Sequence, residues 1–88
     1  MIKIVLPSVW TPGGRTEFDA TEGPLHEVIK RFVADNPAYR RRLLGPDAEP
    51  LTYVNIVVDE DLVPRHLRAG TTVSSGSTVT IISPMAGG

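Results

Sequence analysis

The sequence predicts an α+β domain: a mixed sheet of four to five strands covered by one main helix. Three patterns lead there. Ile2, Ile4 and Leu6 alternate along the first segment, the spacing of a strand with one buried face. Leu25, Val28, Ile29, Phe32 and Val33 fall at i, i+3, i+4, i+7 and i+8, one apolar stripe on a helix. Val54, Ile56 and Val58, then Val79 and Ile81, return to the two-residue period late in the chain. An amphipathic helix needs a sheet to cover, and the sheet needs the helix to bury its apolar face.

The elements follow in order. Pro7 closes the first strand, and residues 8–14, with Trp10, Pro12, Gly13 and Gly14, form a long turn. Residues 15–19 read as a second strand, paired with the first as a hairpin. Gly23-Pro24 opens the helix, with proline in its first turn. Asn36-Pro37 ends it, because the residue before a proline avoids the helical region. Residues 38–44 read as a short second helix with Tyr39, Leu43 and Leu44 turned inward, and residues 45–50 as a loop. Residues 53–58 are a strand, Asp59-Glu60-Asp61 a turn, and Leu62-Val63 an edge segment limited by Pro64. Residues 68–76 read as a polar loop with room for one 3₁₀ turn, and residues 78–83 as the last strand. First and last strands are the natural central neighbours. The order strand, strand, helix, strand, short strand, strand is that of a β-grasp, or ubiquitin-like, roll. Residues 1–83 form this domain, and residues 84–88 a flexible tail.

Composition narrows the function. The 88 residues make one domain, and 41% are apolar, enough for one compact core. Without cysteine there is no disulfide framework, thiolate metal cage or cysteine-bound iron–sulfur cluster. That fits a reducing, cytoplasmic setting. A formal net charge of −1 gives no global field toward nucleic acid or membrane. The apolar runs are too short to span a bilayer, and the start lacks the pattern of a signal peptide.

The chain closes on Pro84-Met85-Ala86-Gly87-Gly88, directly after the last strand. Five extended residues reach about 17 Å. Gly87 and Gly88 lack Cβ atoms, so the backbone can thread a narrow channel and adopt the angles a pocket imposes. Such a tail offers its own carboxylate as a reactive group. Pro84 stiffens its base. On the strict strand period, Ile82 and Val57 point away from the core, and with Met85 they make an apolar patch that partner enzymes can grip.

Three runs extend this reading: Tyr53-Val54-Asn55-Ile56-Val57-Val58 with its acidic turn Asp59-Glu60-Asp61, Gly76-Ser77-Thr78-Val79-Thr80-Ile81-Ile82, and Ala86-Gly87-Gly88. With them the chain resembles the small sulfur carriers of the MoaD/ThiS type, above all the CysO-like carriers. The match is good from about residue 53 onward and looser before; Pro64-Arg65-His66-Leu67 departs from it. The resemblance implies a protein co-substrate rather than an enzyme. A MoeB/ThiF-like enzyme would adenylate Gly88 with ATP, and a sulfur source would convert it to a thiocarboxylate. A sulfur-accepting enzyme would then use that sulfur for a product of the cysteine, thiosugar, molybdopterin or thiamin type. The carrier itself would bind no cofactor and be a monomer when free. The same activation would serve a ubiquitin-like modifier joined to lysines through Gly88. A passive interaction module with an incidental tail is the third reading.

The remaining signals are weaker. Arg40-Arg41-Arg42 reads first as a solvated helix face, next as a pairing surface for an acidic partner, and last as a nucleic-acid or phosphate site, since no aromatic platform flanks it. His26 and His66 lack metal-ligand spacing. Asp59, Glu60 and Asp61 read as solvated turn charges, and Trp10 as a lid on the core edge. Ser74, Ser75 and Ser77 belong to no recognisable triad motif. No side chain is assigned a catalytic or metal-binding role.

Overall fold

The computed structural model describes residues 1–11, 13–51 and 54–83. Its elements are β1 (Ile2–Val5), β2 (Glu17–Ala20), β3 (Gly23–Pro24), α1 (Leu25–Asp35), α2 (Arg40–Leu43), β4 (Asn55–Val58), β5 (Asp61–Leu62), β6 (Thr72–Val73) and β7 (Thr78–Ile82). Short 3₁₀ turns at Ser8–Trp10, Pro37–Tyr39 and Arg65–Gly70 link them. The main sheet runs β2-β1-β7-β4-β5, with β1 and β7 parallel at its centre and every other pair antiparallel. This is the mixed sheet with one covering helix that the periodicities predict. A second, two-stranded sheet joins β3 to β6.

Alternation sorts the sheet into two faces. Ile2, Ile4, Ile56, Val79 and Ile81 turn inward and are almost wholly buried against Leu25, Val28, Ile29, Phe32 and Val33 of α1. Each such side chain contributes about 1.5–3 kcal/mol on burial. Trp10, Leu43 and Leu44 close the core, as the sequence leads one to expect. Phe18, Phe32 and Tyr39 meet at centroid distances of 5.2, 5.9 and 6.1 Å and tie β2 to α1.

Three local expectations need correction. Pro24 is extended (φ −56°, ψ 136°) and caps α1 from outside instead of lying in its first turn. It pairs with Thr72, and the Leu25 N–H donates to the Thr71 carbonyl at 2.9 Å, satisfying one free helix donor. The second strand lies at Glu17–Ala20, offset from residues 15–19, because Ile4 pairs with Phe18 and Ile2 with Ala20. The 3₁₀ turn expected after Arg68 begins earlier, at Arg65, and with Arg68 buried and Thr72–Val73 a strand, residues 68–76 are not simply a polar loop.

Candidate functional site

The outer sheet face is set by the same pleat that fills the core. Residues Glu17, Val5, Thr80, Val57 and Leu62 lie in one cross-sheet row, each paired with the next. Ile82 sits one row further along β7, opposite Asn55 and diagonal to Val57. Leu62 is 59% exposed and Ile82 44%, whereas its chain neighbour Ile81 is 2% exposed. The half of the face over β2 is charged instead, with Lys3 lying 3.7 Å from Glu17 and 3.9 Å from Asp19.

The apolar half continues to the point where the chain leaves the sheet. An open cavity of about 320 Å³ lies between the segment after β1 and the end of β7, lined by Leu6, Pro7, Val9, Thr80, Ile82 and Ser83. Val9 is 63% exposed at its edge. Because β1 and β7 run parallel, their C-terminal ends coincide, and this fixes the Ser8–Trp10 turn beside Ser83. Ser83, the last described residue, therefore lies at the rim of an exposed apolar surface.

Of the predicted docking residues, Ile82 is exposed and Val57 half-buried, both on the outer face. Met85 and the tail residues Pro84, Ala86, Gly87 and Gly88 lie outside the described residues, as does Tyr53. Sequence reasoning missed Leu62 and Val9. The signal for Leu62 is its register with Val57 across the Asp59-Glu60 turn. Val9 lies in a turn, where no period applies.

The opposite end of β7 is tightly fastened. Asp59 has φ +58°, a left-handed conformation that aspartate tolerates better than most residues. Its N–H donates to the Thr78 carbonyl at 2.8 Å. Its carboxylate accepts from the Thr78 N–H and the Ser77 hydroxyl, both at 3.1 Å. The acidic turn thus anchors a strand as well as carrying solvated charge. The Gly76 N–H bonds the Met1 carbonyl at 2.9 Å, and the Met1 amine reaches Glu22 at 2.7 Å. That hydrogen bond, more than the charge behind it, lowers the Glu22 pKa from its usual value.

Arg68 is the other polar feature missed by pattern reading. Its guanidinium donates to the Val63 and Leu51 carbonyls, both at 3.4 Å. Burial first, and the charge of Arg65 second, lower its pKa from the ordinary arginine value. It fastens segments flanking β4 and β5. His26 is half-buried on α1, and His66 is exposed in the 3₁₀ helix. Among the described residues, no group of three or more histidine, aspartate or glutamate side chains could hold a metal ion, and no helix is long and apolar enough to cross a membrane.

Comparison with known proteins agrees with this architecture. CysO of Mycobacterium tuberculosis superposes with a TM-score of 0.78 at 25% identity, over 97% of this chain and 100% of that one. A chain of the Amycolatopsis orientalis BexX/CysO complex gives 0.77 at 20% identity over the whole of both chains. SAMP1 of Haloferax volcanii gives 0.76 at 19% identity, over 99% of this chain and 98% of that one. The search of curated proteins finds no match. The model of the ThiS family matches residues 10–88. The chain belongs to the ThiS family: it is a sulfur carrier of ubiquitin-like β-grasp fold, a protein substrate of activating enzymes and not itself an enzyme.

Proposed function

We propose that the reactive group is the Gly88 carboxylate and that it cycles between acid, acyl-adenylate and thiocarboxylate. The observation carrying this reading is the family match running through Gly88, on a chain whose last strand ends beside an exposed apolar surface. A carboxylate resists nucleophilic attack because attack adds charge to an anion. In the first step one carboxylate oxygen attacks the α-phosphorus of ATP and pyrophosphate leaves. The resulting mixed anhydride has lost the negative charge and gained AMP as leaving group. Hydrosulfide then attacks the acyl carbon, the bond to AMP breaks, and loss of the S–H proton leaves the thiocarboxylate. Its ionised sulfur is the nucleophile used by the accepting enzyme, as thiolates are in other sulfur chemistry.

A MoeB/ThiF-like enzyme would supply the ATP site, and the carrier would supply the carboxylate and a grip. Leu62, Val57 and Ile82 form that grip, with Met85 as its continuation into the tail. Apolar side chains at the centre of an interface contribute most of its energy. The sulfur serves biosynthesis of the cysteine, thiosugar, molybdopterin or thiamin type.

The test is ATP–pyrophosphate exchange by the cognate adenylating enzyme. Exchange is expected with the intact chain and lost on deleting Gly88 or adding a residue after it, while the thermal midpoint stays unchanged. Full exchange with either variant would contradict the reading. Isopeptide adducts to other proteins, without sulfur incorporation, would assign the chain to protein modification instead.

A further inference from the structure

The molecule carries a second exposed surface at its tail-bearing end, and this one is cationic. Among the described residues every ion pair uses the N-terminal amine or a lysine, and none uses an arginine. Arg40, Arg41 and Arg42 are all exposed on α2. Arg40 and Arg41 border an open cavity of about 310 Å³ whose apolar wall is Leu44, Pro46 and Leu51. Arg42 stacks over the Trp10 ring, 5.4 Å from its centroid.

Through Arg42 and Trp10 this surface adjoins the turn beside the end of β7. Trp10 belongs to the turn that lines the cavity with Ile82 and Ser83. On the other side, Leu44 bridges to Pro50, and Leu51 leads toward β4, whose first residue, Asn55, pairs with Ile82. The acidic turn Asp59-Glu60-Asp61 and the Met1–Glu22 pair lie at the opposite end, against the beginning of β7. The three consecutive arginines thus lie away from the acidic turn, even though the net charge is only −1.

We propose that Arg40 and Arg41, with the apolar cavity between them and Leu51, dock an acidic segment of the adenylating enzyme, as a contact separate from the sheet face. This rests on the proposed function and deepens it. Guanidinium groups recognise carboxylates through paired hydrogen bonds, and exposed arginines mainly set association rate and salt sensitivity. The apolar wall adds room for a side chain between the carboxylates. Two acidic neighbours shape the choice of partner. Glu49 is held by Lys30 at 2.8 Å, and Asp47 accepts the Glu49 N–H at 3.0 Å within its own loop. These fixed carboxylates leave the two arginines available to a local acidic segment but oppose an extended phosphate backbone.

The experiment is calorimetric titration of the cognate adenylating enzyme, without ATP, at low and high sodium chloride. The R40Q/R41Q variant is expected to bind roughly tenfold more weakly at low salt and to lose most of the salt dependence. R40K/R41K should recover the salt dependence, because charge is restored, and both variants should keep the wild-type thermal midpoint. Wild-type affinity and salt dependence in R40Q/R41Q would overturn this proposal and leave the Gly88 chemistry standing. Absence of enzyme binding by the wild-type chain would overturn both. A mixed-sequence single-stranded RNA that binds the wild type more tightly than the enzyme does, and loses binding in R40Q/R41Q, would replace the acidic protein partner with nucleic acid.

Discussion

Ile81 and Ile82 are chemically identical neighbours on β7 and have opposite fates. Ile81 is 2% exposed, packed among the core side chains under α1. Ile82 is 44% exposed, on a face shared with Val57 and Leu62. The pleat alone makes the difference, since successive side chains point to opposite sides of a strand. A single strand thus does two jobs with alternate residues. The inward set holds the scaffold together, and the outward set leaves apolar surface uncovered at the point where the tail begins. The fold does not need that outer surface for its core, and the docking role proposed for it is what substitutions there test.

Substitutions can break or sharpen this contrast. The largest loss of stability is expected for Ile81→Ala, about 2–5 kcal/mol, from lost burial and the cavity left behind. Urea denaturation measures it; a loss under about 1 kcal/mol would mean that the inner face is not the scaffold. Next comes Asp59→Ala, about 1–2 kcal/mol, because it removes two accepted hydrogen bonds and sets alanine at a positive φ. Asp59→Asn should retain most of that stability, since asparagine tolerates the same conformation and keeps an acceptor. The double variant Ile82→Ala/Leu62→Ala should change stability by less than about 0.5 kcal/mol per site. It should nevertheless raise the KM for the carrier in adenylation by about tenfold with kcat little changed. Equal KM would remove the sheet face from the docking surface.

The smallest effect is the pH dependence from Glu22. The Met1 amine lowers its folded pKa from 4.5, so the stabilisation is fully present above that value and fades as pH falls through the lowered one. Denaturation midpoints of wild type and E22Q should therefore differ slightly near neutrality and converge as the pH falls through the lowered pKa. A difference that grows with acid would reverse the assigned sign.

The contrast also explains what could be read from sequence. The inward residues of β1, β4, α1 and β7 repeat with the period of their element, and so the core residues and the order of elements along the chain follow from spacing. Ile82 and Val57 were legible for the same reason, as the residues out of phase. Leu62 was not, because a two-residue edge strand has no period and its outward direction comes from pairing with Val57. Gly23–Pro24 has little strand propensity, and Thr72–Val73, though made of good strand formers, is too short to show a period; their pairing depends on the fold bringing them together. Arg68 reads as a surface residue, and its burial depends on carbonyls of Leu51 and Val63 that only the fold supplies. For the three consecutive arginines the sequence leaves a solvated face ahead of an acidic partner, and the cavity beside Arg40 and Arg41 and the Arg42–Trp10 contact come only with the fold.

The most direct test of the central claim is the intact mass of the chain after incubation with ATP, its adenylating enzyme and a sulfur source. The predicted result is replacement of one oxygen by one sulfur, located at Gly88 by fragmentation and absent from the chain lacking Gly88. A chain that keeps its original mass while the enzyme turns over ATP with another carrier, or one that gains sulfur anywhere but its terminal carboxylate, would contradict it.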